Sequence, residues 1–330
     1  MKEKKQRAFA PSYYPAFHCI ADKCSHTCCA CWEVGIDAKT LKKYKKLDTP
    51  LGMRIKNHIA EDKEGARFAL LDERCPMLSE CGLCDIITEL GEEYIPEICR
   101  LHPRFKNVLS DRCEIGLGLC CEEVARLVIS QKEPFSLIEI NGFEAQSDNR
   151  QDSKDESLIC ESTEPKKQKF EAEMLAIREK IFSLIYTKST AKSVLSDIKD
   201  LAALSDFCPE EHLCLFSELE YMSDAFRGKL SQLTEKEKSG KPSKDVPLGL
   251  PLRNIFSYLA FRYLTPAEDR AELRARVALL LLSSTLLLFL GEGLCEEELS
   301  ELARLYSSEV EYSEENMEIL LSNLDFEVNF

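Results

Sequence analysis

Twelve of the chain's 16 cysteines fall between positions 19 and 121 of its 330 residues, and that crowding constrains the first third of the sequence more than any other feature. They are Cys19, Cys24, Cys28, Cys29, Cys31, Cys75, Cys81, Cys84, Cys99, Cys113, Cys120 and Cys121. A chain this long can bury a core without covalent staples, so size alone does not call for them. The N-terminal stretch MKEKKQRAFAPSYYPAF is basic but is followed by no apolar run and no small-residue cleavage site, so it does not read as a secretory signal. The expected compartment is therefore the cytoplasm, where thiols stay reduced. Reduced thiols at this density point to metal rather than to disulfides or inert core residues.

Their spacing offers several ligand groups: Cys24, Cys28 and Cys29; Cys75 with Cys81 and Cys84; Cys99; and Cys113, Cys120 and Cys121. Adjacent thiolates on a turn reach one metal at little entropic cost. Zinc takes four N or S ligands and a four-iron cluster takes four cysteines, so the donor type leaves both open. The stretch CSHTCCAC also fits, through Cys24, Cys28 and Cys31, the C-x3-C-x2-C spacing of radical S-adenosylmethionine enzymes. No alternation of strands and helices follows it, so the β/α barrel such enzymes use is not expected. Beside Cys99, the row Arg100, His102 and Arg104 could offset thiolate charge and donate hydrogen bonds to sulfur. His26 and His102 are alternative ligands.

The expected architecture is mainly α, with a cysteine-rich, irregular metal-binding domain over residues 1–140, a polar linker or mobile loop over 141–168, and a helical domain over 169–330. Residues 1–140 read as short helices joined by ordered loops. In the helical part, Phe170, Met174, Ile177, Ile181 and Ile185 recur at steps of three and four, one face of an amphipathic helix. Pro209 opens another helix, with Leu213, Phe216, Leu219 and Met222 or Phe226 turned inward. Pro266 begins the helix carrying VALLLLSSTLLLFL, Val277 to Leu290. At 14 residues with Ser283, Ser284 and Thr285 in its middle, that run is too short for a membrane span and reads as a core helix. Net charge is -15, and residues 141–330 carry nearly all the excess, 22 basic against 36 acidic. Such a surface does not suit nucleic acid, whereas it suits a basic or lysine-bearing protein.

The residues also carry a resemblance. The opening PSYYPAFHCIADKCSHTCCACWEVGID, from Pro11 to Asp37, resembles the start of the flagellin lysine N-methylase family. The same order continues with Cys75-Pro-Met-Leu78, Leu83-Cys84-Asp-Ile, Gly91-Glu92, Cys99-Arg100-x-x-Pro103-Arg104 and Leu117-Gly-Leu-Cys-Cys121-Glu-Glu123. Two further blocks are similar, Asn254-x3-Tyr258-Leu-Ala-Phe-Arg262-Tyr263 and Tyr306 to Asn316.

The resemblance implies S-adenosylmethionine-dependent methylation of lysine side chains on a surface protein such as flagellin. It also implies a cysteine-ligated centre, iron-sulfur in preference to zinc. It points to Cys19, Cys24, Cys28, Cys29, Cys75, Cys84, Cys99 and Cys121 as the shared metal ligands, enough for two four-ligand sites or for one cluster plus a zinc. An attacking lysine must be neutral, so the site needs desolvation or a base. Glu309, Glu311 and Tyr312 or Tyr306 are the candidates, set against a plain helix with Val310, Met317 and Leu321 inward and its carboxylates solvated. The chain departs from the family pattern at His26, where an acidic residue is expected, at Cys31 in place of glycine, and at Ser308 and Tyr312 in place of Arg and His. Cys81, Cys113 and Cys120 are also particular to it. The competing class is a non-catalytic metal-binding or redox-sensing module that docks on proteins.

Overall fold

In the computed structural model the described residues are 7–30, 32, 34–63, 65–140, 164–239 and 247–324, and they divide into two units. One comprises Phe17–Phe105 with Cys121–Glu123; the other comprises Met1–Ala16, Lys106–Cys120 and Val124–Phe330. Helix dominates, 58% against 13% strand, so the class is mainly α.

The first unit is built from short pieces. Strands β2 (Gly35–Ile36), β3 (Ile59–Glu61) and β4 (Ala66–Phe68) form an antiparallel sheet in the order β2-β4-β3. Around it lie α1 (Ala38–Lys46), α2 (Pro50–Asn57), α3 (Asp85–Leu90) and α4 (Glu97–Leu101). Asp37 caps α1 by accepting from the Thr40 amide at 2.9 Å, and Thr49 caps α2 by accepting from Gly52 at 3.0 Å with Pro50 inside the first turn. Tyr44, Ile55, Phe68, Met77 and Ile86 close the core, and Cys29, Cys75, Cys84 and Cys99 pack with them.

The second unit holds a four-stranded sheet in the order β5-β6-β1-β7, from β1 (Arg7–Pro11), β5 (Arg104–Val108), β6 (Arg112–Leu117) and β7 (Leu137–Ile140). β1 runs parallel to β6, with Phe9 opposite Glu114, and antiparallel to β7. Helices follow: α5 (Glu122–Ser130), α6 (Glu164–Thr187), α7 (Ala191–Leu201), α8 (Asp224–Ser239), α9 (Leu250–Leu264), α10 (Arg270–Gly291), α11 (Glu296–Tyr306) and α12 (Glu314–Asn323). One of them, α10, is long and apolar enough to cross a membrane by length and composition, but 83% of its most apolar window is buried in the protein.

Several expectations are corrected here. The first 140 residues contain two sheets rather than helices and loops alone, because their strands are two to six residues long and too short to show alternation. Pro209 opens a 3-10 helix, Pro209–Glu218, and of the two alternatives Phe226 is buried while Met222 is exposed. Asp269, not Pro266, caps the leucine-rich helix through the Glu272 amide at 2.9 Å. Of the expected linker, residues 141–163 lie outside the described residues, whereas the last five begin α6. On α6, Met174, Ile181 and Ile185 are buried as expected. Arg178 is buried with them. It donates to both oxygens of Glu114 on β6, at 2.5 and 2.8 Å, and to Thr265 at 2.6 Å.

Candidate functional site

All eight cysteines singled out by the sequence lie in the first unit, the distant Cys121 included. Local chemistry places each. The Cys75 amide donates to the Cys29 carbonyl at 2.7 Å, and the neighbouring residues Ala30 and Arg74 form a bridge, so the two thiol-bearing segments run side by side. From Cys75 the chain turns back at Gly82, whose φ of +79° is open to glycine, and Leu78 bridges Cys84. Cys84 stands at the N-terminus of α3, and Cys99 lies on α4. At the other end of the CSHTCC loop, one oxygen of Glu122 accepts from the Ser25 amide at 2.8 Å. The same oxygen lies 3.0 Å from the His26 ring and accepts from the Cys24 thiol at 3.8 Å, which ties the loop to the residue after Cys121.

The thiols interact electrically as well. Burial pushes Cys75 up to about 11, and the charges of Cys29 and Cys84 add to it. Cys99 is raised by burial and then by Cys29, Cys75 and Cys84; Cys84 is raised by burial with Cys29 contributing. Burial pushes Cys24 up to about 11, with Cys121 and Cys19 adding. Cys28 shares a hydrogen bond with Cys29 that holds Cys28 protonated and lowers Cys29 to about 7, helped by Thr27 and Arg74. All fourteen described cysteines are free thiols. Cys31 and Cys160 lie outside the described residues. Among the described residues no three His, Cys, Asp or Glu side chains converge on one metal-ion position.

Of the row beside Cys99, Arg100 is exposed, and Arg104 stacks its guanidinium 5.3 Å from the Phe17 ring. His102 lies 6.0 Å from Trp32, whose indole donates to the Cys28 carbonyl at 2.5 Å. Burial holds the His102 imidazole down at about 4, so it is neutral at pH 7.

A second constellation lies in the other unit. The Tyr306–Asn316 segment is not one solvated helix: a π-helical turn, Ser307–Glu311, follows α11, and the carboxylates of Glu309 and Glu311 are buried. Both Glu309 oxygens are engaged by the start of α8, accepting from Met222 N at 2.8 Å, Ser223 N at 3.1 Å and Ser223 Oγ at 2.5 Å. Glu311 differs. Its Oε2 accepts from Tyr258 at 2.8 Å and Ser307 at 2.5 Å, while Oε1 is buried with no hydrogen-bond partner among the described residues. The Tyr13 hydroxyl is likewise buried and unpartnered, and it lies within reach of the Glu311 charge. Arg262 stands 5.6 Å from the Tyr312 ring; burial opposes its charge, but Tyr258, Glu311 and Tyr312 outweigh burial and raise it. Although the Tyr312 side chain is partly exposed, desolvation of its hydroxyl, which lies against the Gly118 backbone, raises its pKa, with Cys120 adding. A buried carboxylate among tyrosines, with one oxygen that accepts no hydrogen bond among the described residues, is chemically matched to an ammonium group.

Curated relatives bear on what this arrangement serves. The chain is 27% identical over 144 residues to the flagellar biosynthetic protein FliU of Salmonella muenchen, 42% of this chain and 85% of that protein. It is 26% identical over 136 residues to the lysine-N-methylase of Salmonella typhimurium and equally to that of Salmonella choleraesuis. The chain is a distant relative of the lysine N-methylases. The similarity covers 39% of this chain and about a third, 34%, of each lysine-N-methylase. No family model and no solved structure matches.

Beside these lysine N-methylase relatives, the sequence pointed to Glu311 and Tyr312 but not to Tyr13, nor to Gly118, on which a Cβ would lie 2.1 Å from the Tyr312 hydroxyl. Tyr258 and Arg262 stood in a quoted block without an assigned function. The available signal was the recurrence of buried-type tyrosines in three separate blocks. Only the fold brings those blocks together.

Proposed function

We propose that the chain is a protein-lysine N-methyltransferase that uses S-adenosylmethionine and carries a cysteine-bound metal centre. The observation that carries this reading is Glu311: a buried carboxylate with one uncommitted oxygen, among tyrosines, in a distant relative of lysine N-methylases. Its substrate class is a lysine-bearing surface protein of the flagellin kind, in keeping with the names of the relatives and with the acidic excess of residues 141–330.

S-Adenosylmethionine, when bound, supplies an electrophilic methyl group. The chain's own task is to present a neutral amine. Glu311 Oε1 would accept a hydrogen bond from the incoming ammonium and take its proton as the lone pair is committed. Tyr258 and Ser307, both donating to Oε2, fix the carboxylate's orientation. Tyr312, in place of the histidine the family resemblance leads one to expect, would close the site on the side of Cys120. Glu309 would hold the start of α8 in place rather than meet substrate.

For the metal, the donor set is the fit: eight thiols in one unit suit soft-metal or iron-sulfur binding, iron-sulfur being favoured. Cys19, Cys24, Cys28, Cys29, Cys75, Cys84, Cys99 and Cys121 would hold it. A bound cluster would supply redox or structural chemistry. Arg54 and Arg74 would balance its charge, since they lower Cys75 and Cys29 respectively. Arg100, His102 and Arg104 would line its approach. The expected compartment remains the cytoplasm, which keeps such thiols reduced.

A second reading, a non-catalytic redox-sensing module, is favoured by the Cys28–Cys29 pair, whose shared proton leaves Cys29 near 7. The two separate in one assay. Protein purified without oxygen is incubated with methyl-labelled S-adenosylmethionine and flagellin. Label on lysine ε-amines is expected. No transfer from metal-replete protein would remove the methyltransferase reading, and absence of donor binding by calorimetry would favour the sensor.

A further inference from the structure

The tyrosines around Glu311 are not equivalent. Tyr258 accepts from the Leu119 amide at 3.3 Å and donates to Glu311 Oε2 at 2.8 Å, so its oxygen and its proton are both committed. The Tyr13 hydroxyl, on a residue 6% exposed, bonds to nothing among the described residues, and Glu311 Oε1, on a residue 8% exposed, is in the same condition. A buried polar atom without a partner costs free energy, so two of them in one neighbourhood point to a group that joins them in another state of the protein.

The fold brings the two together. Tyr13 lies two residues past the end of β1, and the neighbouring strand β6 runs parallel to it and leads into Gly118 and Leu119. Leu119 is bonded to Tyr258, and the Tyr312 hydroxyl lies against Gly118. The Tyr13 ring also meets Phe135 edge-on at 6.4 Å, Phe135 lies 5.6 Å from Phe261, and Phe261 sits about one turn along α9 from Tyr258. All of these residues belong to one unit. Burial, with the Glu311 charge adding, pushes the Tyr13 phenol up and keeps it protonated.

We infer that Tyr13 is a second contact for the substrate amine, its hydroxyl oxygen and Glu311 Oε1 accepting hydrogen bonds from two N–H groups of one lysine ε-nitrogen. The inference rests on the lysine-methylating reading above and deepens it by naming a residue that holds the amine. An ammonium carries three N–H donors. As one proton passes to Glu311, its N–H bond breaks, an O–H bond forms on Oε1 and the electron pair stays on nitrogen. Tyr13 keeps the N–H that it accepts, so the nitrogen holds its orientation while the lone pair is freed. Tyr312, 42% exposed with its hydroxyl at Gly118, runs between the surface and this group and marks the side of entry.

The test uses the full chain. Tyr13→Phe keeps the ring and removes only the unpartnered hydroxyl. Its urea midpoint is expected to equal or exceed that of the wild type, whereas Tyr258→Phe, which breaks two hydrogen bonds, is expected to lower it. In Tyr13→Phe, kcat/KM for methyl transfer to flagellin is expected to fall by about tenfold or more. Binding of n-butylammonium, the bare end of a lysine side chain, is followed separately by NMR titration without methyl donor. It is expected to weaken by about tenfold in Tyr13→Phe and to be lost in Glu311→Gln. Wild-type protein that binds the probe but transfers no methyl would support the amine contact and remove the methyltransferase reading. Wild-type protein that does not bind the probe would overturn the contact. So would a Tyr13→Phe variant that matches the wild type in transfer and probe binding, or one whose midpoint falls as far as that of Tyr258→Phe.

Discussion

Tyr312 lays its hydroxyl so close to the backbone of Gly118 that a Cβ on that glycine would sit 2.1 Å from the oxygen. The glycine is required by close approach and not by a special backbone angle. Gly118→Ala should push Tyr312 outward. Because Tyr312 is 42% exposed, it can move at a stability cost below about 1 kcal/mol. Methyl transfer should fall by up to about a hundredfold, since misplacement of a positioning group costs that much. Paired denaturation and transfer measurements check both statements.

The two buried glutamates of the π-helical turn should separate cleanly. Glu309→Ala removes the acceptor of three hydrogen bonds at the start of α8 and should cost about 2–3 kcal/mol in urea unfolding. Glu311→Gln keeps an acceptor for Tyr258 and Ser307, so stability should change by less than about 1 kcal/mol. Transfer should nevertheless fall by about a hundredfold or more, the worth of a general base. Equal loss of stability in both variants would make Glu311 a structural residue.

Arg178 and Glu114 form an ion pair with side chains 1% and 0% exposed. Arg178→Ala strands a buried carboxylate and should destabilise the unit by about 3–5 kcal/mol. Replacing both partners with apolar residues of similar volume should recover most of that loss. A thermal melt of the single and double variants decides it.

His102 sets a pH limit on the cysteine-bearing unit. Its pKa falls from 6.5 to about 4 in the fold because burial disfavours the charged ring. Below the unfolded value the unfolded chain therefore binds the proton more readily, and the fold loses stability as pH drops from about 6.5 to 4. The loss approaches about 3 kcal/mol and is absent above pH 7. His102→Gln should flatten that slope, as urea midpoints across the range would show.

How much of this was legible in the sequence depended on whether the signal was local. The face of α6 through Met174, Ile181 and Ile185, and the burial of the leucine run in α10, follow from periodicity and length. That Cys121 falls in one unit with residues 17–105 is a product of the fold, and residue type alone does not encode it. Long-range pairing was not legible: β1 beside β6 and β7 joins segments more than a hundred residues apart, and no local pattern encodes that. Arg178 was hidden for a related reason, since a charge within an apolar stripe reads as an error until its partner is known. Glu309 and Glu311 looked equivalent in sequence, and only the neighbours supplied by α8 and α9 distinguish them.

The proposed function joins a thiol-bound metal centre and lysine methylation in one chain. The most direct measurement is iron, zinc and acid-labile sulfide per chain, with an optical spectrum, on protein purified without oxygen. Iron and sulfide in comparable amounts, with charge-transfer absorption bleached by reductant, is the expected result. Zinc alone without sulfide would contradict the iron-sulfur assignment, and no bound metal at all would contradict the centre.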